Sequence, residues 1–237
     1  MATDLITPPQ QARFRLIAPL WHTFIVLLIL LALSASSARS QNLAGRSGAS
    51  HIVNYLTVMA VEWFIVGFIW LGIRWRGVRL GELIGGAWPK PMTVIRDIGI
   101  GVLFLLASNF VLALLSHLLK ATPNQAIRSI FPQGPVEIAV YLLLTLTAGF
   151  CEEIIFRGYL YIQLAAIARS FSVGLLMQAL FFGAAHGYQG PKFMFIIFVY
   201  GCLFGFLASW RRSLRPGMVA HFLQDSVIGL AGRHLVH

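Results

Sequence analysis

The chain has 237 residues, of which 58% are hydrophobic and only 11% charged, and its formal net charge is +10. A soluble domain carries roughly a quarter charged residues, so this composition, with a mean hydropathy of +0.78, excludes an ordinary soluble enzyme and points to an integral membrane protein. The basic residues fall in short loops rather than along one soluble face, which excludes a nucleic-acid-binding surface.

In chain order, seven apolar runs stand at 16–36, 52–73, 97–119, 136–157, 171–188, 193–210 and 215–232. A spanning helix needs about 20 mostly apolar residues. Backbone groups cannot stay unpaired in lipid, so these runs predict helices, and no alternating ten-residue pattern suggests a barrel. The expected fold is an all-α polytopic transmembrane bundle of about seven spans. The first run, with Arg13 and Arg15 in front and "SASSA" behind, has the outline of a signal peptide. It is long enough to span, however, and six more runs follow. Residues 1–135 supply about three spans and their loops. Residues 136–232 supply about four spans with almost all the polar groups, and 233–237 form a short tail.

The loops between the runs have distinct character. Residues 34–50 are a polar, small-residue loop, and 74–91 a basic one whose Trp75 and Trp88 suit an interface. Residues 120–135 hold three prolines, the last of which, Pro135, suits the first turn of the fourth helix. With the N-terminus inside, 12 Lys and Arg face inward and 6 outward, or 11 and 6 if Arg157 is buried. The positive-inside rule then predicts a cytoplasmic N-terminus in a bacterial-type inner membrane. Cys151 and Cys202 both sit in apolar runs and imply neither a disulfide framework nor a CxxC metal site.

Asp4, Glu82, Asp97 and Glu137 sit at ends or in loops, whereas Glu62, Glu152, Glu153 and Asp225 lie within apolar runs. Ionisable groups at such depth are functional candidates. In "CEEIIFRGYL", Glu153 and Arg157 are four apart and share a helix face. Glu152 points about 100° away around the helix, a carboxylate free to act as a general base or acid. The bland alternative is an ion pair beside a hydrogen-bonded acid.

His186, in "LFFGAAHG", stands 17 residues after Arg169, and Glu152 stands 17 before it. A hairpin turning at Arg169 puts both at one depth, about 25 Å from the turn. That depth requires the fourth helix to project or bend, and "GYLYIQLAAIAR" reads as an interfacial continuation. In "HFLQD", His221 and Asp225 again share a helix face. His221 lies only about six residues past the 211–215 loop, which by counting is shallower than Glu152. Glu62 reads as a structural, hydrogen-bonding acid, and His22, His51 and His117 as interfacial. "GFIWLG" and "GCLFG" are small-residue spacings that let helices approach.

Together Glu152-Glu153-x-x-x-Arg157, Phe182-x-x-x-His186 and His221-x-x-x-Asp225 resemble the three motifs of the CPBP intramembrane protease family. That family includes the type II CAAX prenyl endopeptidases and bacterial abortive-infection and bacteriocin-immunity relatives. The resemblance runs from about 136 to 230. It implies an intramembrane endopeptidase in which Glu152 activates a water, His186 helps hold it, and His221 with Asp225 faces the developing oxyanion. Glu153 and Arg157 support the site. The implied substrate is a membrane-associated protein or peptide, with prenylated CAAX tails as the family label; nothing here specifies a prenyl pocket or an oligomeric state.

Asp225 occupies a position where the family has Asn or Asp. An ionised Asp cannot donate to an oxyanion, so it would be protonated, would orient and charge His221, or would ligate a metal. The favoured reading needs no cofactor. The alternative is a divalent ion such as zinc held by Glu152, His186, His221 and Asp225, although no HExxH helix is present. The rival functions are a non-catalytic scaffold or immunity protein and a proton-coupled carrier. Against the carrier, the sequence has no inverted repeat and no pair of broken helices.

Overall fold

The computed structural model describes residues 14–40, 51–86 and 90–232, with the side chains of 37–40 excepted. Arg13, Arg46, Trp88, Arg233, His234 and His237 lie outside these residues. The described chain is helical, with no strand. Its helices are α1 (Leu20–Ser40), α2 (His51–Arg74), α3 (Leu80–Ile84), α4 (Pro91–Leu118), α5 (Gln125–Arg128) and α6 (Pro135–Glu152). A π-helical stretch follows at Glu153–Leu160, then α7 (Tyr161–Ala168) and α8 (Phe171–Ala185), a 3-10 turn at Gly187–Gln189, α9 (Pro191–Arg211) and α10 (Arg215–Gly232).

Local chemistry sets these boundaries. Pro91, Pro135 and Pro191 stand in the first turns of α4, α6 and α9, where a missing N–H costs nothing. Ser170 caps α8 by accepting from the Val173 N–H at 3.3 Å. Arg169 and Arg212 close α7 and α9 in the left-handed region, at φ 53° and 49°.

Each of the seven apolar runs forms a helix. Four are long and apolar enough to cross a membrane: α2, α4, the continuous α6–α7 helix Pro135–Ala168, and α9. Leu20–Ser36 and Phe171–Ala185 are shorter apolar helices. The molecule is a multi-pass helical membrane protein. Among the most intimate packings are α8 with α9 and α7, α10 with α4 and α6, and α2 with α6.

The 34 residues of Pro135–Ala168 extend about 51 Å, well beyond a hydrocarbon core of about 30 Å. The expected interfacial continuation past Gly158 is instead buried. Tyr159 and Gln163 are 0% exposed, because the start of α1 lies across them. The Ile17 and Ala18 N–H groups donate to Gln163 Oε1 at 2.7 and 3.3 Å. His22, expected at an interface, is buried in the same network. Its Nε2–H donates to the Phe68 carbonyl at 2.9 Å, so its Nδ1 accepts from the Tyr159 hydroxyl at 2.7 Å.

Asp97, expected at an end or in a loop, stands in the second turn of α4 and is fully buried. Its carboxylate takes Arg215 Nε at 2.9 Å, with Arg96 at 3.5 Å and Arg211 at 3.8 Å. This pins the start of α10 to α4. The start of α10 is held again by α3, where Leu214 N–H and the Ser213 hydroxyl donate to the Ile84 carbonyl at 3.0 and 3.1 Å.

Candidate active site

The helix 135–168 and α8 form the antiparallel hairpin that the spacing around Arg169 predicts. The Phe156 and Phe182 rings meet at 5.0 Å, and a Cβ on Gly174 would lie 2.6 Å from that of Ala165. Both pairs fit the register counted about Arg169. The shallow count for His221 has a physical resolution. The turn before α10 does not stop at the level of Arg169 but reaches inward to Gly158, where a Cβ would lie 3.1 Å from Leu214 Cδ1. Counted from Gly158, His221 stands at the depth of the two glutamates.

Two glycines bring the helices together there. A Cβ on Gly149 would sit 2.9 Å from the Phe222 backbone nitrogen, so α6 and α10 touch backbone to backbone. A Cβ on Gly217 would sit 2.7 Å from Glu153 Oε2, so α10 leaves room for that carboxylate. Glu152 closes α6 and Glu153 opens the π-helical stretch, whose end bonds from the Tyr161 N–H to the Phe156 carbonyl, five residues back. Such wide turns are rare and recur at functional sites.

Glu153 and Arg157 are both buried, with Arg157 Nη1 3.0 Å from Glu153 Oε1. The guanidinium lies over the rings of Phe182 and Phe204, at 4.1 and 4.7 Å from their centroids. Cation–π attraction thus shares the burden of a buried cation. His221 Nδ1 stands 3.2 Å from the same Glu153 oxygen. A carboxylate paired with arginine only accepts, so Nδ1–H donates. His221 Nε2 then faces Glu152 Oε2 and Asp225 Oδ2, each at 3.6 Å.

Glu152, Glu153, Arg157, His221 and Asp225 are therefore gathered at one crossing. His186 stands at its edge. His186 caps the end of α8 with Nδ1 donating to the Phe182 carbonyl at 2.8 Å, which leaves Nε2 as the acceptor of the neutral ring. Its ring meets Phe182 at 4.9 Å, and Phe182 meets His221 at 6.0 Å. It lies within electrostatic reach of Asp225. Among the described residues, no three His, Cys, Asp or Glu side chains are arranged to hold a metal ion. Glu152, His186, His221 and Asp225 as placed do not form a ligand cage.

Other contributors were not singled out in the sequence. Phe204 packs on both Arg157 and His221, the latter at 5.3 Å. The Tyr141 hydroxyl donates to the Asp225 carbonyl at 3.2 Å. Asn109 and Gln224 exchange side-chain hydrogen bonds at 2.6 and 3.1 Å, fixing α4 to α10 one residue from Asp225. The amide of Gln224, inside the His221-x-x-x-Asp225 motif, was the available signal. Glu62, expected to be a hydrogen-bonding acid, is buried with its Oε2 unpartnered.

Residues 134–227 match the family model described as Type II CAAX prenyl endopeptidase Rce1-like. No curated protein and no solved structure matches the chain.

Proposed function

We propose that this chain hydrolyses a peptide bond of a membrane-associated protein or peptide at the Glu152–His221 crossing, a reading that the match of residues 134–227 to the Rce1-like type II CAAX prenyl endopeptidase model supports. The observation that carries this reading is the placement of His221 Nε2, 3.6 Å from both Glu152 Oε2 and Asp225 Oδ2.

Each role follows from what the side chain can donate or accept. Glu152 takes a proton from water, with the Nε2 acceptor of His186 helping to hold that water. The water oxygen bonds to the carbonyl carbon, and the carbonyl oxygen becomes an oxyanion. His221, its Nδ1–H held by Glu153, directs Nε2–H at this oxyanion. Asp225 orients His221 and favours its cationic form, the role an ionised carboxylate can fill. The C–N bond then breaks, the electron pair leaves with nitrogen, and Glu152 returns the proton to the departing amine. Arg157 balances the charge of Glu153. These steps need no metal. Nothing in these residues prefers a prenylated substrate. The excess of Lys and Arg on the inward loops supports a cytoplasmic N-terminus.

The test is cleavage of a labelled membrane-peptide library by purified protein in lipid, with and without a chelator. Wild type should cut in both conditions. Asp225→Ala should lose about 100-fold or more in rate, because His221 then loses the charge that keeps its Nε2–H a donor to the oxyanion. Asp225→Asn, which can still orient His221 but carries no charge, should recover only part of the loss. Unchanged cutting by both Asp225→Ala and His221→Ala, or no cutting by wild type, would overturn the assignment. Loss on chelation would overturn the metal-free mechanism.

A further inference from the structure

Glu62 lies outside the matched segment, and no role above uses it. It sits midway along α2 and is 8% exposed, whereas Phe64, two residues on, is 66% exposed and faces outward. α2 packs along α6 and the π-helical stretch. This brings the Glu62 carboxyl within electrostatic reach of Glu152, Asp225 and Cys151. Glu62 Oε2 is buried without a hydrogen-bond partner, and so is the Oε2 of Glu152. The Glu62 oxygen is thus an unpartnered polar atom on a helix packed beside the site.

A buried acceptor without a donor is costly. A peptide about to be cut has the complementary defect. Its backbone must be extended at the scissile bond, and the freed N–H groups find no partner in lipid. We propose that Glu62 is a substrate-contacting residue, whose carboxyl C=O accepts a hydrogen bond from a backbone N–H of the bound peptide beside the bond that Glu152 and His221 handle. This inference rests on the peptidase reading of the same site. It makes α2 a wall of the substrate channel and extends the site into the N-terminal part of the chain.

Two measurements test it. The first is the kinetics of Glu62→Ala and Glu62→Gln, in lipid, on a peptide that wild type cleaves. Glu62→Ala should raise KM about tenfold, the scale of one buried hydrogen bond, with kcat within about threefold. Glu62→Gln keeps an acceptor oxygen and should restore most of the loss. Unchanged KM in Glu62→Ala, or a loss confined to kcat, would overturn the contact.

The second needs no cleavage. In a chain carrying Cys151→Ala and Cys202→Ala, Glu62→Cys in lipid vesicles is exposed to a membrane-impermeant, water-soluble thiol reagent, with Phe64→Cys as the outward-facing control. Position 62 should react and position 64 should not. Equal inertness at both would overturn the channel wall. If wild type cut nothing yet position 62 reacted, the peptidase reading would fail while the water-filled wall stood.

Discussion

Arg157 is a buried cation held by one carboxylate and the aromatic faces of Phe156, Phe182 and Phe204. Removing one member of a buried pair leaves the other charge uncompensated, at a cost of about 3–5 kcal/mol. Arg157→Ala should therefore lower the thermal unfolding midpoint in detergent by many degrees. Arg157→Lys keeps the charge but not the planar group that lies on the rings, and should fall between. A midpoint unchanged in Arg157→Ala would contradict the structural role. The pairing itself was legible in the sequence, because residues four apart share a face. The rings were less so: Phe182 stands in a motif, but Phe204 looks like any apolar residue of its helix, and its place over Arg157 depends on how α9 packs. Asp97 is the reverse case. It reads as a helix-end acid, and only the return of α10 past α4 buries it against Arg215.

At the scale of elements, the site depends on how closely α6 and α10 approach. Gly149→Ala would drive a methyl group into the Phe222 backbone, which cannot yield as a flexible side chain does. Overpacking of this kind costs about 1–3 kcal/mol and should part Glu152 from His221, lowering cleavage as well as stability. Gly99→Ala on α4 meets nothing within 4 Å and should leave both nearly unchanged. Similar losses in the two variants, measured side by side by thermal unfolding and cleavage, would contradict this account. The hairpin register around Arg169 was legible by counting. The depth of His221 was not, since counting assumes that loops on one side are level, and the turn before α10 instead reaches in to Gly158. The π-helical stretch left no trace in the sequence either. Residues 153–160 are buried on every side, where periodicity carries little information, so a wider turn does not disturb the pattern.

For the whole molecule, composition alone was enough to predict a helical membrane bundle, because lipid leaves the backbone few other solutions. What composition could not supply was the placement of the first three apolar helices around the last four. α2 and α4 bring Glu62 and Asn109 to the crossing, and these contacts depend on tertiary packing that no local pattern encodes. The central claim is that Glu152 is the base of a water-activating site. The most direct measurement is the rate of cleavage of one peptide by wild type and by Glu152→Gln, both in lipid and both folded by thermal unfolding. Loss of a general base predicts a fall of about 100-fold or more at unchanged stability. A rate within about threefold of wild type, below the range expected of any general base, would contradict the account.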